Sequence, residues 1–457
     1  MSWTKEKLVA EGKTKKIYRS KEDPDMGIFE ALNNITAHDD PAFTKQFEAK
    51  PRLATQTTCN VFRLLKECGL PVAFKEQISE TEFVAPIVEM IPLEVIARRV
   101  ADGSYLMRMP QFKQTDGKLH QFHRLVTEFF LKTTGGELIK NDKFIVKDLP
   151  RVPAQKEGET KPLDDPFIIN PENQEIWQLA YPKKSNWEAG AVLDHKVSPA
   201  EVIFPETTIE LPDGWTVKKA MDIIDELNRQ AFLIIERAWA MLGYKLGDWK
   251  IEFGWTQDGQ IVIADVIDND SWRLRDEENR EKSKQVFRDQ GLTKEVEINY
   301  AMISEMSTQF RLPKQVIVIW KGSPDDKSPE LPLIPGVERV EEVLSGHKKT
   351  MACLLRLEEL QRDYPDGGVI ITPVGMSNGL GPVLSSHSAW PVIGVPAHAK
   401  EHPEDVWSSL RLPSQNPMAT ILSDKNAVLL ALNILALKNP AAYMVRQLAI
   451  EELDTGY

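Results

Sequence analysis

Two uninterrupted apolar runs, Val316-Ile317-Val318-Ile319-Trp320 and Val369-Ile370-Ile371-Thr372-Pro373, constrain the fold of this chain more than any other feature. A strand that is apolar at nearly every position has no face to offer to water, so each run reads as a buried strand of the parallel type. Loops containing Gly and Ser follow both, and Asn426 to Leu437 reads as a late helix, which makes the C-terminal part α/β. The N-terminal part is built differently. Lys250-Ile251-Glu252-Phe253 and Gln260-Ile261-Val262-Ile263-Ala264-Asp265 are strand-like runs joined by Thr256-Gln257-Asp258-Gly259, whose Asp-Gly marks a hairpin. A hairpin and a parallel sheet call for separate cores, and 457 residues accommodate two domains. We place the division at 1–307 and 308–457.

Within the first part, Leu8 to Phe130 alternates short apolar runs with turns and includes a helix-like stretch, Pro92 to Val100, bearing Arg98-Arg99. Residues 133–205 turn to Lys, Asp, Asn and Pro with few apolar repeats, an insertion or long surface excursion. From Trp215 to Leu242, residues Met221, Ile224, Leu227, Ala231, Ile234 and Ala238 recur at helical spacing, and Gly243 stands where a helix would stop. This stripe is core packing. Arg275 to Lys284 reads as a solvated loop and Val296 to Met306 as a helix.

Composition removes several function classes. The formal net charge of -12 repels a phosphate backbone, and no Lys/Arg stripe with interleaved aromatics opposes it, so nucleic acid is not an expected partner. No apolar run reaches the roughly 18–20 residues that cross a bilayer, and the start lacks a signal-peptide core. Cys59, Cys68 and Cys353 show no Cys-x-x-Cys spacing, which suits a reducing cytoplasm better than a disulfide framework or a thiolate zinc site.

Several segments carry chemistry. Glu11-Gly12-Lys13-Thr14-Lys15-Lys16 lets a slim backbone and compact ammonium charges approach phosphate oxygens, although it lacks the Walker pattern; a solvated edge strand is the plain alternative. The strand period puts Lys250 and Glu252 on one face, with Asp265 at the end of the partner strand. Glu252 and Asp265 have the chemistry to hold a nucleotide's Mg2+, or they are simply solvent-facing acids. Arg273 could fork onto a phosphate or carboxylate. Arg98-Arg99 with Gly103-Ser104 pairs guanidinium groups with an anion-binding turn, or forms helix-end salt bridges.

These segments, together with Glu89-Met90-Ile91-Pro92-Leu93-Glu94, occur in the order of a known family. The chain resembles phosphoribosylaminoimidazole-succinocarboxamide synthase in its animal-type fusion to phosphoribosylaminoimidazole carboxylase. The resemblance implies an ATP-binding SAICAR-synthetase-like α+β domain followed by a flavodoxin-like three-layer α/β carboxylase-like domain. It also implies a carbon-nitrogen ligase that joins aspartate to a carboxylated ribotide, using ATP and Mg2+. By resemblance Lys13 and Lys15 face the ATP phosphates, and Glu252 and Asp265 the metal and nucleotide. Arg98, Arg99 and Ser104 then contact the ribotide, while Lys250 and Arg273 sit at the reacting end. Lys284 and Arg288 lie in a family-like segment, and Asp39 occupies a substrate-side loop. A noncatalytic ribotide sensor and a kinase that needs no aspartate are the competing classes.

Gly375-Met376-Ser377-Asn378-Gly379-Leu380-Gly381 and Asp405-Val406-Trp407-Ser408-Ser409-Leu410-Arg411 resemble the carboxylase domain, which uses CO2 as a substrate without ATP or another cofactor and assembles into a homo-oligomer. Ser323, Asp326, Ser345, Ser377 and Asn378 become substrate contacts, and His347 and Lys348 catalytic groups. The pattern is broken in places: Asp325 replaces a serine, Met376 an arginine, and the helix after the phosphate loop is cut short by prolines between Lys327 and Pro335. A carboxylate beside a ribotide phosphate repels it. The domain is therefore either a working carboxy-lyase with altered contacts or an assembly scaffold.

Overall fold

The computed structural model describes residues 2–36, 44–116, 118–140, 143–146, 151–153, 160–162, 167–169, 178–180, 199–201, 214–291 and 293–453. Asp39 and much of 133–205 lie outside them. The chain divides into two compact units, residues 1–66 with 70–310, and 67–69 with 311–457.

The first unit is built on antiparallel sheets. A five-stranded sheet runs in the order Lys5–Glu11, Lys15–Ser20, Met26–Ala31, Glu82–Pro86, Glu76–Gln77. In the larger sheet the strands Gln121–Leu131, Leu93–Val100 and Lys245–Trp255 lie side by side, followed by Ile261–Ala264. Trp272–Arg275 and Glu89–Met90 also pair with Lys245–Trp255. The hairpin forms as expected, with Glu252 opposite Ala264 and Gly259 at φ +77° in the turn. Across the sheet lies the helix Val217–Ala240, capped by Thr216, whose side chain accepts from the Lys219 amide. Its apolar stripe enters the core: Met221, Ile224, Ala231 and Ile234 are fully buried.

The structure corrects one reading and adds detail to two others. Leu93–Val100, read as a helix, is a central strand, because Leu93, Val95 and Ala97 alternate into the core and both edges find partners. The described parts of 133–205 include three short strands, Phe167–Ile169, Gln178–Ala180 and Pro199–Glu201, which extend the large sheet beyond Gln121–Leu131. The segment 275–284 is exposed over 277–280, as a solvated loop would be, but its ends are tied down: Ser283 is buried, Arg275 bridges Asp102 and Glu281, and Asp276 takes Arg280 and Lys282.

The second unit is a five-stranded parallel sheet in the order Val337–Val343, Gln315–Lys321, Gly368–Val374, Val392–Pro396, Met418–Thr420. This is the doubly wound order 2-1-3-4-5, in which ligands bind beyond the carboxyl ends of the first and third strands. The two apolar runs are its central strands, and Val318, Trp320 and Ile370 pack with Leu357 and Leu360 of the helix Thr350–Asp363. No helix forms between Lys321 and Val337, where the prolines stand. The late helix spans Asp424–Leu435, and Pro440 starts another, Pro440–Glu451.

Candidate active site

The strand Lys245–Trp255 organises the first unit's site. Asp248, Lys250 and Glu252 share one face, because side chains alternate, and they cover roughly 13 Å of strand at ~3.3 Å per residue. Lys250 Nζ donates to Glu94 of the adjacent strand at 2.5 Å, and Lys132, just past the strand Gln121–Leu131, donates to Glu252 at 2.5 Å. At the Glu252 end, Lys15 crosses from the small sheet to ion-pair with Asp265, two residues that lie 250 positions apart in the sequence. Burial pushes the Lys15 ammonium down to about 8, against the opposing pull of Glu252. Asp265 follows the strand Ile261–Ala264 with φ +66°, a left-handed conformation that Asp tolerates better than most residues and that turns the chain at this point. Lys13 is exposed on the turn beside Lys15, and its carbonyl accepts from Asn34.

At the Asp248 end the charges run inward. Asp248 Oδ2 accepts from Arg98 and from Arg273, each at 2.5 Å, and Arg98 also donates to Glu128 at 2.6 Å. Arg98, Asp248 and Glu128 are all buried. Burial alone would lower the Arg98 pKa, but Asp248 and Glu128 hold it above its ordinary value. Arg273 lies against the Gly103-Ser104 turn so closely that a Cβ on Gly103 would come within 2.6 Å of its Cζ. Ser104 opens the short helix Ser104–Arg108 there.

Arg98 and Arg99 were expected to contact ligand. Instead Arg98 is enclosed by Glu128 and Asp248, and Arg99 grips Glu236 of the helix Val217–Ala240 and the carbonyls of Phe122 and His123. Arg98 and Arg99, adjacent in a mid-sheet strand, point to opposite faces: Arg98 to the face of Glu94 and Asp248, and Arg99 toward the helix Val217–Ala240. Lys15, Lys250, Glu252, Asp265 and Arg273 are brought to one surface of the sheet system. Sequence reasoning gave no role to Glu94, although it closes the motif Glu89-Met90-Ile91-Pro92-Leu93-Glu94, and missed Lys132 and Asp248, the latter signalled only by its strand parity with Lys250. It also missed Lys50 and Tyr300, which with Lys284 surround Asp270. Arg288 is exposed beside Gln285.

In the second unit the expected residues collect at the carboxyl ends of the parallel strands. Asp326 is buried and accepts from the Ser323 amide at 2.9 Å and the Gly375 amide at 3.2 Å, tying together the loops after the first and third strands. Asp325 and Met376 are exposed, the latter at φ +57°. Ser345 accepts from the backbone amides of Lys348 and Lys349, and His347 and Lys348 are exposed. The His347 ring lies on Gly379, where a Cβ would come within 2.5 Å of Cδ2. Ser377 is exposed, whereas Asn378, expected to face substrate, is buried with its side chain bonded to Ser409 and the Gly381 amide. An asparagine between two glycines in a tight loop satisfies the loop's own polar groups first. His398, which the sequence did not single out, packs on Gly375, whose added Cβ would lie 2.9 Å from Nε2.

Among the described residues no helix is long and apolar enough to cross a membrane, and no group of three or more His, Cys, Asp or Glu side chains could hold a metal ion. The family model of SAICAR synthetase matches residues 8–152 and 192–305, and that of AIR carboxylase residues 335–450. The chain is 32% identical to a probable multifunctional protein ADE2 of Caenorhabditis elegans, over 94% of this chain and 90% of the relative. It is 29% identical to the human bifunctional phosphoribosylaminoimidazole carboxylase/phosphoribosylaminoimidazole succinocarboxamide synthetase, over 95% and 91%. A solved SAICAR synthetase described as in complex with ADP covers 66% of this chain and 97% of its own at 24% identity and TM-score 0.45. The chain therefore belongs to the SAICAR synthetase family, joined to an AIR carboxylase domain in the bifunctional arrangement of purine biosynthesis.

Proposed function

We propose that the N-terminal unit ligates L-aspartate to carboxyaminoimidazole ribotide, consuming ATP and producing SAICAR. The observation that supports it most is the row Asp248, Lys250, Glu252 with Arg273 at one end and Lys15 and Asp265 at the other. Its length of roughly 13 Å suits a ribotide phosphate at Arg273 and nucleotide phosphates at Lys15, with the ribotide carboxylate between them at Lys250. Glu252 and Asp265 fit Mg2+, an ion that two carboxylates hold while phosphate oxygens and water complete its shell. When bound, Mg2+ neutralises and orients the phosphates.

In this reading Lys15 and Lys132 exchange the acids for phosphate oxygens as nucleotide enters. Lys250 keeps the ribotide carboxylate in line with the γ-phosphorus. A carboxylate oxygen then attacks, the bond to the β-γ bridging oxygen breaks, and ADP leaves. The aspartate amine adds to the resulting acyl phosphate, inorganic phosphate departs and a proton is released. Such a reaction needs positioning and charge neutralisation rather than a protein nucleophile. The chain works in the cytoplasm and associates with further copies through its C-terminal unit, where Met351, Leu355 and Trp407 expose apolar surface.

For the C-terminal unit we propose carboxylation of aminoimidazole ribotide with CO2, with His347 moving the proton. A second reading, an assembly scaffold without turnover, is favoured by Asp326 occupying the Ser323 and Gly375 amides, by Asp325 at the same loop, and by the missing helix. One experiment separates them. The purified chain receives aminoimidazole ribotide, bicarbonate, ATP, Mg2+ and aspartate, or carboxyaminoimidazole ribotide in place of the first two. SAICAR from both mixtures supports both activities; SAICAR from the second alone makes the C-terminal unit a scaffold. None from either, or product that forms without aspartate, overturns the ligase.

A further inference from the structure

A buried charge cluster stands beside this row. Asp270 Oδ2 accepts from Lys50 at 2.7 Å and from Lys284 at 3.0 Å, and the Tyr300 hydroxyl donates to Oδ1. The donors come from three places: the start of the helix Lys50–Glu67, the residue preceding Gln285–Gln290, and the helix Lys294–Ser307. Lys50 is 2% exposed and also donates to the Asn34 carbonyl at 3.1 Å. The Asp270 amide donates to Asp268 Oδ1 at 2.8 Å and the Ser271 amide to the Asp268 carbonyl at 3.0 Å, so residues 268–271 form a closed turn.

Asp270 lies between Asp265 and Arg273 in the chain, the residues that the proposed reaction puts at the nucleotide and ribotide ends. A buried ion pair is a poor way to gain stability, because desolvation cancels much of the attraction, but it fixes geometry. Two ammonium groups share one Asp270 oxygen. Lys50 is the more enclosed of the two.

We infer that Lys50 and Tyr300 are positioning residues that act through Asp270 to hold Asp265 and Arg273 in a fixed mutual placement. The inference rests on the ligase reading for the roles of those two groups, and neither Lys50 nor Tyr300 touches a reactant. Lowered mobility of residues 265–273 is its direct consequence.

The test uses the full chain with Lys50→Met, Lys50→Arg and Tyr300→Phe, read by amide hydrogen exchange and by steady-state kinetics. Lys50→Met and Tyr300→Phe are expected to raise exchange over residues 265–273 by about tenfold without a matching rise elsewhere. The KM values for ATP and for the ribotide should rise together, also by about tenfold, with Lys50→Arg close to wild type. Wild-type exchange over 265–273 in both variants, or lower thermal stability with unchanged KM values, overturns the inference. Tyr300→Phe removes a single hydroxyl and keeps the test decisive should Lys50→Met fail to fold. A wild-type chain that forms no SAICAR would sink the ligase reading, while the exchange data would still judge the anchor.

Discussion

Replacing Gly103 by alanine tests the ribotide end of the site with one methyl group. Gly103 has φ +54°, and the new Cβ would lie 2.6 Å from Arg273 Cζ, so the guanidinium must move. With ψ -133° as well, Gly103 lies in a sparsely populated backbone region that costs an alanine roughly 1–3 kcal/mol, which appears as lost stability. If Arg273 holds the ribotide as proposed, displacing it also removes that contact, and a hydrogen bond to a charged group is worth roughly 1.5–3 kcal/mol. At about 1.4 kcal/mol per factor of ten, the ribotide KM should rise by between ~10-fold and ~150-fold. The KM for ATP, which the proposed reading binds at the Lys15 end, should stay within about twofold of wild type, because well-separated sites are nearly additive. Gly214→Ala is the control: it also has positive φ, at +80°, but a Cβ there meets nothing within 4 Å. The assay is SAICAR formation with each substrate varied in turn, beside a thermal melt. If Gly103→Ala melts like the control and leaves the ribotide KM within about twofold of wild type, Arg273 does not hold the ribotide.

Glu252→Gln with Asp265→Asn should abolish ATP turnover while ribotide binding, followed by calorimetry, is largely retained; loss of both would show that the two acids shape the whole site. Arg98→Met leaves Glu128 and Asp248 without their shared buried cation, with Arg273 still on Asp248, and should destabilise the protein by about 3–5 kcal/mol in denaturant unfolding, whereas a near-neutral change would show that the buried pairing contributes little. Burial and the adjacent Asp270 push the Asp268 carboxyl up from 3.8 to about 6, so the contribution of this group to stability falls as pH rises from about 4 to about 6. Asp268→Asn should therefore be more stable relative to wild type at pH 8 than at pH 4; a difference that does not vary with pH would refute the assignment. In the C-terminal unit, Asp325→Ser removes an exposed negative charge at the phosphate loop and should increase carboxylation of aminoimidazole ribotide, measured apart from ligation; unchanged turnover would favour the scaffold.

The elements legible in the sequence were those whose pattern is local. Met221 to Ala238 keeps a helical apolar stripe between a Thr cap and Gly243, the hairpin carries its Asp-Gly turn, and the parallel strands are apolar throughout. Lys15, Lys250, Glu252, Asp265 and Arg273 could be picked out because motif order and strand parity suggested them. Leu93–Val100 defeated local reasoning because Leu93, Ile96, Ala97 and Val100 also fit a helix. Partners on both edges decided for a strand, and that decision turned Arg98 and Arg99 inward.

The charge pairing of the site was settled only by tertiary structure. Whether Lys250 meets Glu94, Arg273 meets Asp248, or Asp270 collects Lys50, Lys284 and Tyr300 depends on register between segments far apart in the chain. Periodicity reports which face of an element is apolar, and the sequence by itself determined that. It does not report which charged face will lie opposite, because that follows from how whole sheets and helices pack once the apolar faces are buried.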